Sequence, residues 1–464
     1  MSKLYIFGIG GTGSRVIRSF TMLLAAGAKI NIDEIIPIII DPDKSNADLT
    51  RTVSLLNNYR SVRSYLTFDN ANKNEFFKKE LSCIIPNYTM KIKDTEDRSF
   101  REFIGYSSMS EANRAMTKML FSEKNLQSSM GVGFKGNPNI GSVVLNQLPY
   151  SDDFTSFANN FEQGDKIFII SSIFGGTGAS GFPLLLKTLR HGDSFPNYNL
   201  INNSEIGALT MLPYFKVEQS EESEIDSSTF ISKTKSALAY YENNIIGNNS
   251  VNALYYLSDD TSNTYENHEG GNDQQNDAHL IEFLGATAIF DFCNANDTLQ
   301  TVNKELGMRD LQGSVTFNSF YDQMRRQYYS PLAQFILMAN ALVDKINYLS
   351  SSSFAANEKH FKGLYDTTFF KDLESFLNKY REWLGEMKRN KRSLDLFNLD
   401  CGGKPFNVVT GIKPKKVNSF KSDYDLVYDR LNDSIRKCKS NEMENKFLEM
   451  YFIGTQKLVS EKLS

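Results

Sequence analysis

The sequence predicts an α/β fold built around one parallel sheet. Through the first half of the chain, short apolar runs alternate with glycine-rich turns and segments of helical periodicity, a pattern typical of repeated βα units. Helices with one apolar face are predicted at residues 15–26, 181–189 and 279–292. The predicted strands are residues 4–7, 35–40, 142–145, 166–173, 206–212 and 251–257.

The length of 464 residues favours more than one domain. We expect a first domain over residues 1–277 and a connecting central helix at 278–293. An insertion is expected at about 43–130, because that connection is far longer than an ordinary βα loop. Residues 294–464 are expected to form a largely helical or α+β second domain that ends in a charged helical tail. The predicted helices of this part are residues 320–349 and 370–391, with an amphipathic pair at 424–463.

Composition excludes some functional classes. The chain carries 51 basic against 55 acidic side chains, so it has no overall electrostatic signature for binding nucleic acid. The four cysteines have no CxxC spacing and the four histidines are dispersed, so no metal site or disulfide framework is predicted. No apolar run is long enough to span a bilayer, and the first one is too short for a signal peptide. We therefore expect a cytoplasmic protein without a membrane span.

A first glycine-rich segment, loop 1 (residues 8–14), reads GIGGTGS and joins the first predicted strand to a helix. Glycines let the backbone approach a phosphate, and a helix N-terminus offers unpaired N–H groups and a positive dipole end. Together with Asp41 after the second strand, loop 1 equally suits a Rossmann dinucleotide site, and a turn without a ligand would explain the same residues. The candidate binding residues here are Gly10, Gly11, Thr12, Gly13, Ser14 and Asp41.

A second segment, loop 2 (residues 131–141), reads GVGFKGNPNIG. Its glycines allow successive backbone amides to face an anion, and Lys135 could add positive charge. A long surface turn would explain the same residues. The candidate binding residues of loop 2 are Gly131, Gly133, Gly136 and Asn137.

A third segment, loop 3 (residues 175–181), reads GGTGASG and lies between an apolar strand and a helix. Its glycines and hydroxyls form a nest of donors at a helix N-terminus. The loop lacks the lysine of a GxxxxGK[ST] motif, so the negative charge of a phosphate here must be stabilised by backbone N–H groups, hydroxyls and a metal ion. The candidate binding residues of loop 3 are Gly175, Gly176, Thr177, Gly178, Ala179 and Ser180.

Loop 3 resembles the tubulin signature GGGTGSG, or GGGTGTG in FtsZ, with Phe174 in place of the first glycine. Loop 1 resembles the opening loop of FtsZ, and loop 2 is similar to its GxGxGGNPxxG loop. Residues 209–215 resemble the strand and Pro-Phe turn that line the ribose side in that family. Asn276 and Asp277 are placed like the Asn-Asp pair that opens its central helix. The resemblance is to the tubulin/FtsZ superfamily, looks closest to its bacterial tubulin-like members, and covers roughly residues 4–292.

This resemblance implies a cytoskeletal protein that binds GTP or GDP with Mg²⁺, and it implies that Asn276 meets the guanine base. Asp41 and Asp43 would assist the metal ion through water, or would form the turn around Pro42. In the family, a loop after the central helix of a neighbouring subunit completes hydrolysis with paired acids. Here that loop reads CNANDT, so Asp297 is the candidate catalytic residue, although a helix-capping role is equally compatible.

Three functional hypotheses follow from these motifs. The first is a GTP-binding protein that associates head to tail and hydrolyses GTP weakly at the subunit contact. The second is a non-polymerising, nucleotide-gated interaction protein whose insertion or C-terminal helices bind an unidentified partner. The third is an NAD-dependent oxidoreductase, which loop 1 and Asp41 would suit but which leaves loops 2 and 3 unexplained.

Overall fold

A computed structural model describes most of the chain. The described residues are 2–69, 71–131, 133–134, 136–218, 227–259, 261, 264–265, 271, 275–295, 313–351, 360–401, 403–415 and 422–463. Across these ranges no helix combines the length and the apolar character that crossing a bilayer requires.

Six parallel strands form the central sheet, in the spatial order β3-β2-β1-β4-β5-β7. These strands are β1 (Lys3–Ile9), β2 (Glu34–Ile40), β3 (Glu80–Leu81), β4 (Lys166–Ser172), β5 (Glu205–Met211) and β7 (Ala253–Leu257). A separate two-stranded sheet pairs β6 (Lys216–Val217) with β8 (Thr264–Tyr265). From β1 the chain builds outward to β3, then returns beside β1 with β4 and builds in the other direction. This is the doubly wound, Rossmann-like order, and it confirms the predicted α/β fold class.

Helices cover both faces of the sheet, which explains why β1, β2, β4 and β5 are buried over nearly their whole lengths. The described helices up to Asn294 are α1 (Gly10–Ala25), α2 (Ala47–Ser64), α3 (Phe100–Phe103), α4 (Glu111–Leu120), α5 (Glu123–Gln127), α6 (Pro138–Leu145), α7 (Asp152–Asn160), α8 (Thr177–His191), α9 (Tyr198–Asn202), α10 (Phe230–Tyr241) and α11 (Leu280–Asn294).

The described chain after α11 is mainly helical. It contains α12 (Asp322–Ser351), α13 (Thr368–Arg389), α14 (Asp423–Ile435) and α15 (Met443–Leu458). Short 3₁₀ turns lie at Pro86–Tyr88, Tyr106–Ser108, Leu148–Tyr150, Ser227–Thr229, Phe317–Ser319, Leu364–Asp366 and Pro405–Val408, and π-helical turns lie at Glu242–Ile246 and Val459–Leu463. Helix α13 packs on α2, and one continuous cluster of buried apolar side chains extends from the sheet into these helices.

The predicted strand at residues 142–145 is wrong, because these residues form the second half of α6. Pro138 stands at the start of this helix, where its fixed φ favours helical geometry. The buried residues Ile140, Gly141, Val144 and Leu145 share one helical face. The additional sheet strand is instead β3, which comes from the region expected to be an insertion and pairs with β2 through only two residues.

Two predicted helices begin earlier than expected. Helix α1 starts at Gly10 rather than at residue 15, and α8 starts at Thr177 rather than at residue 181. Most of loop 1 and loop 3 therefore forms the first turns of these helices, so their backbone N–H groups point out of a helix N-terminus.

Candidate functional site

Loop 1 and loop 3 meet at the point where the strand order reverses. Strands β1 and β4 are neighbours in the sheet; β1 runs directly into α1, and β4 is followed by α8 after four residues. Gly10 has a φ of 72°, and a Cβ built on it would lie 3.4 Å from Thr177 Cβ and 3.8 Å from Gly178 N. Ligands of open α/β sheets bind in the crevice outside the strand ends at such a reversal point. The two helix N-termini thus lie side by side at one end of the sheet.

Loop 2 packs against loop 3 at the same place. A Cβ built on Gly176 would lie 3.0 Å from Gly136 N and 3.2 Å from Asn137 N. Further along, a Cβ on Gly141 would overlap the hydroxyl oxygen of Ser180. Only glycine permits this approach of one backbone to another. The three glycine-rich loops therefore converge on one end of the sheet, although loop 1 lies more than a hundred residues before the other two in sequence.

Other glycines let each helix start close to its strand. A Cβ on Gly13 would lie 2.7 Å from Gly8 Cα, and one on Gly178 would lie 2.6 Å from the carbonyl oxygen of Ser172. This tight helix–strand contact is the packing role of a glycine in phosphate-binding turns. Gly11 differs, because a Cβ there would meet no described heavy atom within 4 Å. The Gly11 position of loop 1 therefore borders open space.

Neither α1 nor α8 is capped by a side chain at its N-terminus, in a part of the chain that the structure describes completely. The N-cap residues are Ile9 and Gly176, and the first turns contain no acidic residue. The Ser14 and Ser180 hydroxyls donate to the carbonyls of Gly10 and Gly176, which braces the first turn of each helix. The unpaired N–H groups and positive dipole ends of both helices therefore favour an anion in the crevice.

The acidic residues after β2 accept hydrogen bonds from backbone N–H groups. Asp41 Oδ1 accepts the backbone N–H of Asp43 at 3.0 Å, and burial raises the pKa of the Asp41 carboxyl to about 7. Asp43 accepts the N–H groups of Ser45 at 3.1 Å and Gly271 at 2.7 Å. The Asp41 side chain is only 5% exposed. Among the described residues, no cluster of three or more His, Cys, Asp and Glu side chains could hold a metal ion.

Asn276 lies before α11 and is held against α2. Its backbone N–H donates to Asp48 Oδ1 at 3.3 Å, and its carbonyl accepts from Arg51 at 3.4 Å. The predicted catalytic residue Asp297 and the loop 2 residue Lys135 lie outside the described residues.

Sequence reasoning missed a buried ionic cluster centred on Arg15, in the second turn of α1. The Arg15 guanidinium donates to Glu282 at 2.6 Å, to Asp48 at 3.0 Å and to the Tyr214 hydroxyl at 2.7 Å. Burial raises the pKa of Asp48, and the Arg15 charge opposes that rise. The sequence signal for this cluster is a pair of arginines, Arg15 and Arg18, inside an otherwise uncharged, buried helix. Buried charges require partners. The cluster ties α1 to α2 and α11.

Sequence reasoning also missed Lys233. This residue lies in α10, and its ammonium group donates to the carbonyl oxygen of Gly136 in loop 2 at 2.9 Å. The contact joins residues 97 positions apart in sequence.

Similarity to known proteins is found among solved structures. No family model matches the chain, and no curated protein matches it. A solved structure of CetZ2 from Haloferax volcanii, described as a GTPγS-bound protofilament, is similar at 12% identity and a TM-score of 0.27, over 56% of this chain and 49% of that one.

Two further solved structures give values in the same range. CetZ from Methanosaeta thermophila strain DSM 6194 is 14% identical, with a TM-score of 0.28, over 56% of this chain and 46% of that one. A TubZ protofilament in its GTPγS form, from Bacillus thuringiensis serovar israelensis, is 12% identical, with a TM-score of 0.25, over 55% and 47%. The chain thus spans about half the length of each of these tubulin/FtsZ-family proteins. The α/β fold class itself rests on the strand order described above.

Proposed function

We propose that the chain is a cytoplasmic, tubulin/FtsZ-like GTP-binding protein that holds GTP or GDP in the crevice where loops 1, 2 and 3 meet. The observation that carries this proposal is the convergence of the three loops at the reversal point between β1 and β4. Two uncapped helix N-termini and a third glycine-rich backbone there present many N–H donors, and none of the three loops contains an acidic residue. Such a surface suits a polyphosphate.

The helix N-termini and Asn276 would contact different parts of the nucleotide. The first turns of α1 and α8 would donate backbone N–H groups to the phosphates, and the absence of side chains at Gly10, Gly11 and Gly176 would let the phosphates approach. A Mg²⁺ ion accompanying the nucleotide would be held mainly by phosphate oxygens and water. Asn276 would recognise the guanine base, as the resemblance to FtsZ implies.

Gly11→Val tests the proposal with little risk to the fold, since the added Cβ meets no described atom. Isothermal titration calorimetry with GTP in the presence of Mg²⁺ should give one binding site for the unmodified chain. Gly11→Val should weaken that binding by about tenfold or more, because the side chain fills the space in front of the helix N-termini.

The matched control is Gly385→Val in α13, where a Cβ has ordinary contacts of 3.5 Å and 3.8 Å. This variant should bind GTP like the unmodified chain. Titrations with ATP and NADH complete the experiment. Binding of NADH but not GTP would replace the proposal with the oxidoreductase hypothesis.

Head-to-tail association with weak hydrolysis at the subunit contact is the second part of the proposal. Asp297 of one subunit would act on the nucleotide of its neighbour. Phosphate release per subunit should then rise with protein concentration, and Asp297→Ala should lower it without weakening GTP binding. A rate per subunit that stays constant with concentration would contradict hydrolysis at a subunit contact.

A second candidate function is a nucleotide-gated interaction protein that does not polymerise. It is favoured by the apolar side chains of α4 that face solvent, since Met116 is 63%, Met119 87% and Leu120 64% exposed. Negative-stain microscopy and pelleting with and without GTP discriminate between the two functions. Filaments that form only with GTP would exclude the second one.

A further inference from the structure

Lys233 places a positive charge beside the loops of the proposed site. Its Nζ atom lies 2.9 Å from the Gly136 carbonyl oxygen, to which it donates, and 3.5 Å from the position that a Gly136 Cβ would occupy. Gly136 in turn adjoins Gly176, the N-cap residue of α8. The ammonium group therefore contacts Gly136, the loop 2 residue that packs against loop 3.

The position of Lys233 is fixed by aromatic packing one helical turn earlier. Phe230 begins α10 and is buried, with its ring 5.0 Å from the ring of Phe174 just before loop 3. Residues three apart lie on the same face of a helix. When Phe230 is anchored on Phe174, Lys233 consequently faces loop 2. Helix α10 thus connects the two loops through one apolar and one charged contact.

Two arginines of α1 near the proposed site are paired with acidic side chains. Arg15 is paired with Asp48 and Glu282, and Arg18 is paired with Glu386 at 2.8 Å. Loops 1 and 3 contain no basic residue, and neither does loop 2 apart from Lys135, which lies outside the described residues. A nucleoside triphosphate carries several negative charges. A lysine at the rim of the donor nest would stabilise them through charge-assisted hydrogen bonds.

We propose that Lys233 is a phosphate-binding residue that supplies the cationic contact to the polyphosphate of the nucleotide. This inference rests on the proposed nucleotide site. An ammonium group carries three N–H donors, so Lys233 can contact a phosphate oxygen and the Gly136 carbonyl together. The lysine therefore comes from α10, whereas a GxxxxGK[ST] loop carries its lysine within the loop itself.

Calorimetric titration of the full chain with GTP, GDP and guanosine tests this role. Lys233→Met keeps the length of the side chain but removes its charge, and it should weaken GTP binding by about tenfold to a hundredfold. Guanosine lacks phosphates, so its affinity should be the same for Lys233→Met and the unmodified chain. Lys233→Arg should retain most of the GTP affinity because it retains the charge.

Lys235→Met is the matched control, because Lys235 lies in the same helix and is exposed. It should bind GTP like the unmodified chain. Lys233→Gln separates charge from loop positioning, since its amide can still donate to the Gly136 carbonyl, and we expect it to lose affinity as Lys233→Met does. Should Lys233→Met fail to fold, Lys233→Gln and Lys233→Arg give the same comparison.

The outcomes distinguish this inference from the site on which it rests. If the unmodified chain binds no nucleotide, the nucleotide site is wrong and the role of Lys233 is wrong with it. If the unmodified chain binds GTP and Lys233→Met binds it equally well, the site stands and the role of Lys233 is overturned. Full GTP affinity in Lys233→Gln would likewise reject it, because Lys233 would then only position loop 2.

Discussion

At the scale of single residues, glycines near the crevice serve two different purposes. Gly178 has no room for a side chain, because an added Cβ would lie 2.6 Å from Ser172 O and 2.7 Å from Ser172 N. Gly11 has room, because an added Cβ meets nothing described within 4 Å. The first glycine is needed for the fold, and the second is available for a ligand.

Alanine at these two positions should therefore have opposite effects on stability. We expect Gly178→Ala to lower the free energy of unfolding by about 1–3 kcal/mol through steric overlap with the strand backbone. Gly11→Ala should leave the free energy of unfolding unchanged or raise it by up to about 1 kcal/mol, because alanine restricts the unfolded chain. Urea denaturation of both variants measures the difference, and equal losses would contradict the distinction.

The buried carboxyl group of Asp41 predicts a pH dependence of stability. Burial raises its pKa to about 7 in the folded protein, whereas an unfolded aspartate titrates near pH 4. The folded state then binds an additional proton between about pH 4 and pH 7. The contribution of Asp41 to stability is accordingly present at acid pH and is lost as pH rises through this window.

Asp41→Asn isolates this effect, because asparagine stays neutral at every pH. Relative to the unmodified chain, the variant should gain stability steadily as pH rises from 5 to 7. Between pH 5 and pH 8 this gain should amount to about 3 kcal/mol. Urea denaturation from pH 5 to pH 8 measures the gap, and a gap that does not change with pH would show that Asp41 does not titrate in this range.

At the scale of secondary-structure elements, buried ion pairs hold the helices around α1 in place. Glu386 of α13 is only 1% exposed and accepts hydrogen bonds from Arg18, from Arg51 and from the backbone N–H of Ala278. These contacts join α1, α2 and the start of α11 to a helix of the C-terminal region. Removal of one partner from a buried pair leaves an uncompensated charge.

Glu386→Ala should for this reason lower the free energy of unfolding by about 3–5 kcal/mol. Glu123→Ala removes a comparable pair with Arg101, whose side chains are 56% and 36% exposed, and should cost less than about 1 kcal/mol. Thermal and urea denaturation compare the two. Similar losses in both variants would indicate that the Glu386 pairs are not effectively buried.

The elements that the sequence predicted are those with strong local signals. Strands β1, β2 and β4 are continuous apolar runs, and the loops after β1 and β4 are rich in glycine. The run at 142–145 was misread because four apolar residues fit a strand or a buried helix equally well. Strand β3 has only two residues and offers no pattern. The Lys233 contact could not be predicted because it depends on how α10 packs on Phe174 and loop 2, which local sequence does not encode.

At the scale of the whole molecule, the order of the strands is what creates the candidate site. Loops 1 and 3 are neighbours only because β4 returns beside β1, and loop 2 reaches them because α6 packs against α8. A ligand bound across all three loops should stabilise the folded state against unfolding. Saturating GTP with Mg²⁺ should therefore raise the melting temperature of the chain, and by less in Gly11→Val.

The most direct measurement is the identity and amount of nucleotide that co-purifies with the full chain, determined by denaturing the protein and separating the released nucleotides by ion-exchange chromatography. We expect GTP or GDP at close to one molecule per chain, and much less from Gly11→Val prepared in parallel. Recovery of NAD in place of a guanine nucleotide, or equal recovery from both proteins, would contradict a guanine nucleotide held at the meeting point of the three loops.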